Sequence, residues 1–211
     1  MSNYIFDLDG TLINSSLEVL SCMEKAFFKS NYPIDKSNLT TNVIGPPLKE
    51  IIKLIAPELE DEDKIAEVTQ NFRETYDVNQ EDMSEVYPNV YKVLERLKAN
   101  NHRLFMATFK PNKPTMRIIK QYKLDYFEEI YTIDKFGSFI TKEEMIKQIV
   151  EKYCLKKSET YMIGDALSDI QAAKNAGVTA VGVLWGYGDN KQPLIDNADI
   201  ILESIEQLCQ K

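Results

Sequence analysis

The strongest constraint on the fold lies from Val86 onward, where segments with a helical period alternate with short apolar, β-rich runs. Residues 89–99 read as helix, 103–108 as strand, 116–122 as helix and 127–133 as strand. The rhythm continues as helix over 142–153, strand over 159–163, helix over 166–175 and strand over 179–184, then a short strand at 199–202 and a terminal helix. Strands joined by helix-length connections pair in parallel, because the crossover returns the chain to the same end of the sheet. The expected class is α/β, a parallel sheet core with helices on both faces.

One strand stands apart from this series. Residues 3–8 read as a short buried strand bounded by Gly10, and a helical block of about 70 residues separates it from the rest. In that block Ser15, Ser16 and Glu18 mark a helix start, and Val19, Leu20, Met23, Ala26 and Phe27 recur at helical spacing before Pro33. A second helix follows Pro46 and Pro47 with Leu48, Ile51, Ile52 and Ile55 on one face. The acidic run 58–63, read as a solvated face, leads into Ile65, Val68, Phe72 and Tyr76. The block reads as an insertion, giving a core domain from residues 1–14 and 86–211 and a helical domain from 15–85.

The chain of 211 residues is long enough for a core domain with such an insertion. Its net charge of −8, from 33 acids against 25 bases, argues against a binder of phosphate backbones but leaves room for small anions held locally. No run approaches the ~18 apolar residues of a membrane span. The amino terminus lacks the basic and apolar regions of a signal peptide, which predicts a cytoplasmic location. Cys22, Cys154 and Cys209 are too far apart for a zinc site or disulfide framework and are expected to be reduced packing residues.

In an open parallel sheet, ligands bind beyond the carboxyl ends of the strands. Past the first strand come Asp7, Asp9, Gly10 and Thr11; past the second, Thr108, Phe109, Lys110 and Pro111; past the 159–163 strand, Gly164, Asp165 and then Asp169. Three strands thus deliver carboxylates, a hydroxyl and a lysine to one edge. Carboxylates without a histidine cluster or cysteine pair suit a hard, oxygen-seeking cation, magnesium above all. The backbone N–H groups of the turn at Gly10 and Thr11, with Thr108 and a lysine, are candidates for holding phosphate oxygens. Lys110 reads as a solvated loop lysine, and His102 as a residue at an exposed strand start with no assigned role.

Phe6-Asp7-Leu8-Asp9-Gly10-Thr11 resembles the first motif of the haloacid dehalogenase-like superfamily. Thr108 resembles its second motif, Lys142 its third, and Gly164-Asp165 through Asp169 its fourth, GDxxxD. Ile163-Gly164-Asp165, Gly182-Val183 and Trp185-Gly186-Tyr187-Gly188 place the resemblance nearest to phosphoglycolate phosphatase-like enzymes. The resemblance spans essentially the whole chain and implies a Rossmann-like core with an inserted α-helical cap.

It also implies roles. Asp7 would be the nucleophile that forms an aspartyl phosphate, and Asp9 the general acid and then base. Mg²⁺ would be held by Asp7, the main-chain carbonyl of Asp9 and Asp165, with Asp169 in or just behind that shell. Thr108 and Lys142 would bind the phosphoryl group. An acid at position 9 suits an oxygen ester, whose leaving group needs a proton, better than a halide. Phe109 stands where relatives often carry a small polar residue, and Ile44–Lys49 resembles the cap segment that selects substrate.

The expected activity is a Mg²⁺-dependent phosphatase acting on a small phosphorylated metabolite, with no nucleic-acid or membrane partner and no implied oligomeric state. The alternatives are a sugar-phosphate mutase of the β-phosphoglucomutase type, an inorganic pyrophosphatase, or a non-catalytic phosphometabolite-binding domain. The last has no need for both a nucleophile and an acid.

Overall fold

The computed structural model describes residues 1–78, 83–137 and 140–209; residues 79–82, inside the expected helical domain, lie outside that set. The chain divides into two compact units, one of residues 1–14, 86–186 and 190–211, the other of 15–85 and 187–189.

The first unit is built on six parallel strands. They are β1 (Asn3–Phe6), β4 (Arg103–Thr108), β5 (Glu129–Thr132), β6 (Thr160–Gly164), β7 (Thr179–Val183) and β8 (Ile200–Leu202). Two short strands, β2 (Ile13–Asn14) and β3 (Glu85–Val86), pair separately. The six run in the order β5-β4-β1-β6-β7-β8, so the first strand in sequence is central. Its register sets Phe6 beside Met106 of β4 and Ile163 of β6. The α/β parallel-sheet reading holds.

Strand pleating explains how both faces become core. Tyr4, Phe6, Leu104, Met106, Ile163, Val181 and Val183 face one way and pack on α4 (Val90–Ala99), α5 (Asn112–Gln121) and the 3₁₀ turn Ile205–Cys209. Ile5, Phe105, Ala107, Met162 and Ala180 face the other way. There they meet α6 (Lys142–Lys152), α7 (Leu167–Ala176) and α8 (Gln192–Asn197).

In the second unit α1 (Ser16–Lys29), α2 (Leu48–Ile55) and α3 (Glu62–Val78) share a cluster of Met23, Phe27, Ile51, Ile52, Ile55, Ile65 and Val68. Tyr187 belongs with this unit, because its hydroxyl oxygen accepts the Ser15 N–H at 2.7 Å.

Several details differ from the sequence reading. The terminal helix is a single 3₁₀ turn, and α8, too short to show a period, carries just Leu194 into the core. Helix α5 starts at Asn112, not Met116, because Pro114 lies in its first turn, where no N–H is required. His102 is half-buried rather than exposed, its Nδ1 accepting the Ser2 N–H at 3.0 Å. Cys154 is exposed and is not a packing residue.

Candidate active site

The site collects at the carboxyl ends of the three central strands. Because Phe6 is level with Met106 and Ile163, the next residues, Asp7, Ala107 and Gly164, are level too. Thr108 and Asp165 follow one position further on. The Asp7 N–H still donates to the Ile163 carbonyl at 2.9 Å, so the carboxylate leaves a fixed backbone.

Behind Asp7 the chain makes a tight turn. The Leu8 carbonyl accepts from the N–H groups of Thr11, Leu12 and Ile13, and the Gly10 N–H donates to Ile13 O at 2.8 Å. The turn needs Gly10 at φ +78°, and a Cβ there would lie 2.2 Å from Asp165 Oδ2. The N–H groups of Gly10 and Thr11, expected to face phosphate, are engaged inside the turn instead. The Thr11 hydroxyl is buried and donates to Asp165 Oδ1 at 3.4 Å. Both residues therefore shape the turn that carries Asp9 and backs Asp165.

Lys142 is the centre of the charge arrangement. A capping box begins α6: Thr141 Oγ1 accepts the Glu144 N–H at 3.2 Å, and Glu144 Oε2 accepts the Thr141 N–H at 2.7 Å. This fixes Lys142 as the first helical residue, with its ammonium 3.0 Å from Asp7 Oδ1 and 2.5 Å from Asp169 Oδ1. Asp169 is wholly buried, and its other oxygen accepts the Ala166 N–H at 3.1 Å. It caps the first turn of α7 and anchors Lys142 at once.

Burial pushes the Asp7 carboxyl up, to about 7, against the pull of Lys142, with Asp169 and Asp9 adding to the rise. Burial also works against the Lys142 ammonium, but Asp169 and Asp7 outweigh it and hold the group charged above the usual lysine range. Asp7 Oδ1 is buried, with the Lys142 ammonium 3.0 Å away as its charge partner. A buried carboxylate is stabilised by a paired cation or a metal ion, and Asp7 has the first of these in Lys142.

Carboxylate oxygens of Asp7, Asp165 and Asp169 lie within 4.8 Å of one another. The donor set is all oxygen and fits Mg²⁺. Both Asp169 oxygens already accept hydrogen bonds, so Asp7 and Asp165 are the better direct ligands.

Thr108, one position past the level of Asp7, is buried, and its Oγ1 accepts the Lys110 N–H at 3.1 Å, which directs the hydroxyl proton elsewhere. Lys110 overturns its reading as a solvated loop residue. It is buried, with its ammonium 3.0 Å from Asp9 Oδ2. A lysine following a strand-end threonine was the available signal; its composition alone pointed to solvent. The Phe109 ring lies against the site's main cation, its centroid 4.8 Å from Lys142 Nζ.

The Trp185-Gly186 pair acts as a wedge. Trp185 Nε1 donates to the Thr11 carbonyl at 3.0 Å, and a Cβ on Gly186 would fall 2.2 Å from that of Asp165. Asp165 is thus slotted between two glycines, a constraint that a run of Gly residues after a strand hints at but does not locate.

The sequence profile of the haloacid dehalogenase-like hydrolase family matches residues 4–183. A phosphoglycolate phosphatase from Vibrio parahaemolyticus is 28% identical over 213 residues, covering 97% of this chain and 93% of that protein. Pyrophosphatase PpaX from Halalkalibacterium halodurans is 28% identical over 212 residues, covering 99% and 95%. The crystal structure of a predicted phosphoglycolate phosphatase from Haemophilus somnus superimposes with a TM-score of 0.87 at 27% identity, covering 100% of this chain and 97% of that one.

Proposed function

Because the chain belongs to the haloacid dehalogenase-like hydrolase family, we propose that it is a phosphatase of the phosphoglycolate phosphatase-like subgroup. Its substrate is a small phosphomonoester, hydrolysed through an aspartyl phosphate on Asp7. The observation that carries this reading is the buried Asp7 carboxylate, 3.0 Å from the Lys142 ammonium and grouped with the carboxylates of Asp165 and Asp169 at the strand ends.

In the first step an Asp7 oxygen attacks phosphorus in line with the ester oxygen. Lys142 and the Thr108 hydroxyl neutralise and orient the transferring phosphoryl group, and positioning with charge stabilisation is most of what phosphoryl transfer needs. Asp9 gives its proton to the departing alcohol oxygen. In the second step Asp9, now a carboxylate, takes a proton from the water that attacks the aspartyl phosphate, releasing phosphate and restoring Asp7. Asp169 keeps Lys142 directed at Asp7 throughout.

Asp7, Asp165 and the main-chain carbonyl of Asp9 would hold Mg²⁺, with Asp169 behind them. When bound, the ion offsets the negative charge that gathers between nucleophile and phosphate. The likeness to a pyrophosphatase supports a second reading, pyrophosphate as substrate, since the same nucleophile and acid serve a phosphate leaving group.

The test is phosphate release from phosphoglycolate, pyrophosphate, nucleotides and hexose phosphates, with and without EDTA. Release from at least one, lost with EDTA and restored by Mg²⁺, is expected. Isomerisation of a hexose phosphate without phosphate release would replace hydrolysis by a mutase, and indifference to EDTA would remove the metal.

A further inference from the structure

We propose that Lys110 is the positioning residue of the general acid: its ammonium holds one oxygen of Asp9 so that the other is presented to the leaving group. The inference rests on the phosphatase reading above and adds to it a residue that the motif resemblance does not assign. Lys110 Nζ lies 3.0 Å from Asp9 Oδ2, and the two side chains are just 5% and 20% exposed. An ammonium in so dry a place is held by its carboxylate far more firmly than a surface lysine is.

The backbone around Lys110 is fixed at both ends. Its N–H donates to Thr108 Oγ1 at 3.1 Å, and its carbonyl accepts from Thr115 Oγ1 at 3.4 Å. Thr115 also donates to the Pro111 carbonyl at 2.8 Å. Because β4 is the hydrogen-bonded neighbour of β1, this platform stands beside the turn that carries Asp9. One strand end supplies the acid and its neighbour supplies the clamp.

The clamp sorts the two carboxyl oxygens. Lysine is a donor only, so Oδ2 serves it as an acceptor, and Oδ1 is the oxygen assigned to exchange a proton with the leaving group. In the first chemical step the phosphorus–ester oxygen bond breaks, the Oδ1 proton passes to the alcohol oxygen, and Asp9 is left as a carboxylate ion-paired with Lys110. In the second step that oxygen takes a proton from the attacking water. Atoms and charge balance with no further reactant.

Leaving-group dependence tests this directly. p-Nitrophenolate departs without needing a proton, whereas phenolate, which lacks the para nitro group, gains from one. The measurement is kcat/KM for phenyl phosphate and p-nitrophenyl phosphate with wild type, K110M, D9N and the K110M/D9N double variant. K110M is expected to lose about tenfold more on phenyl phosphate than on p-nitrophenyl phosphate, by misplacing the acid. In the D9N background K110M is expected to add no further leaving-group penalty. Equal losses on both esters overturn the inference, because they identify Lys110 as a phosphate contact or a packing residue; so does an extra penalty in the D9N background. Should K110M fail to fold, K110R carries the same test, and a leaving-group ratio unchanged from wild type while its rate falls on both esters overturns the proposal. Wild type that hydrolyses neither ester overturns the phosphatase reading and this inference together, whereas active wild type with equal losses in K110M overturns this inference alone.

Discussion

The two units handle charge in opposite ways. At the carboxyl edge of its sheet, the strand-built unit buries Asp7, Lys110, Lys142, Asp165 and Asp169. The helical unit keeps its ion pairs in water: Lys49–Glu62, Lys36–Glu24 and Lys64–Glu67 have side chains between 32% and 78% exposed. Among the described residues its one buried acid is Glu18, whose Oε2 accepts from the Ser84 hydroxyl at 2.8 Å. Burying a charge costs several kcal/mol even when it is paired, and stabilises a fold poorly compared with apolar packing. A concentration of such groups at one sheet edge is therefore a sign of chemistry, and their scarcity among the described residues of the helical unit is what packing alone produces.

This contrast can be broken at its strongest point. Asp7→Asn is expected to reduce hydrolysis of p-nitrophenyl phosphate by at least about a thousandfold while the circular dichroism spectrum stays that of wild type, since it removes the nucleophile and little volume. Activity within tenfold of wild type would take the nucleophile's role from Asp7.

Lys142→Met leaves Asp7 and Asp169 facing each other without their shared cation. The expected loss is about 3–5 kcal/mol in urea unfolding, besides the loss of turnover. A variant as stable as wild type would show that the buried charges were not held by this lysine.

A smaller effect belongs to the edge strand β5. Burial raises the Glu129 carboxyl, but hydrogen bonds from Lys135, Lys152 and Tyr153 outweigh that and hold it down at about 2. A lowered carboxyl stabilises the fold above its unfolded pKa, about 4.5, and loses that contribution as pH falls towards 2. Wild type should exceed Glu129→Gln in stability by about 1–2 kcal/mol at pH 6, the shift being discounted for the half-exposed Lys152, with the gap narrowing between pH 4.5 and 2. A gap constant with pH would assign Glu129 a packing role instead.

The smallest effect is expected in the helical unit, where Lys49→Ala should change stability by less than about 0.5 kcal/mol because both partners are more than half exposed. A loss above about 2 kcal/mol would erase the contrast between the units.

Much of the fold was legible because hydrophobic period is a local property. The strand over 103–108 and the helix near 142–152 fall within a residue of their expected bounds. Local rules failed where a proline sits in a first turn, as at Pro114, or where an element is too short to show a period, as in α8. At the site, the acids announced themselves through their spacing. Lys110 did not, because nothing in a Lys-Pro dipeptide says whether its ammonium meets water or Asp9. Gly10 and Thr11 misled for a related reason: a glycine turn offers N–H groups, but here Ile13 O and Leu8 O take them.

Residue types and their order along the chain already dictate an alternating series that must form a parallel sheet, and acids placed just past the strands that deliver them. Which of those groups meet is settled only by folding. Strand order set β1 between β4 and β6, and so brought residues more than a hundred positions apart within ion-pairing distance. Periodicity is encoded in neighbours along the chain, whereas a buried charge finds its partner only when crossovers and register close the sheet, because its electrostatic environment is made by residues remote in sequence.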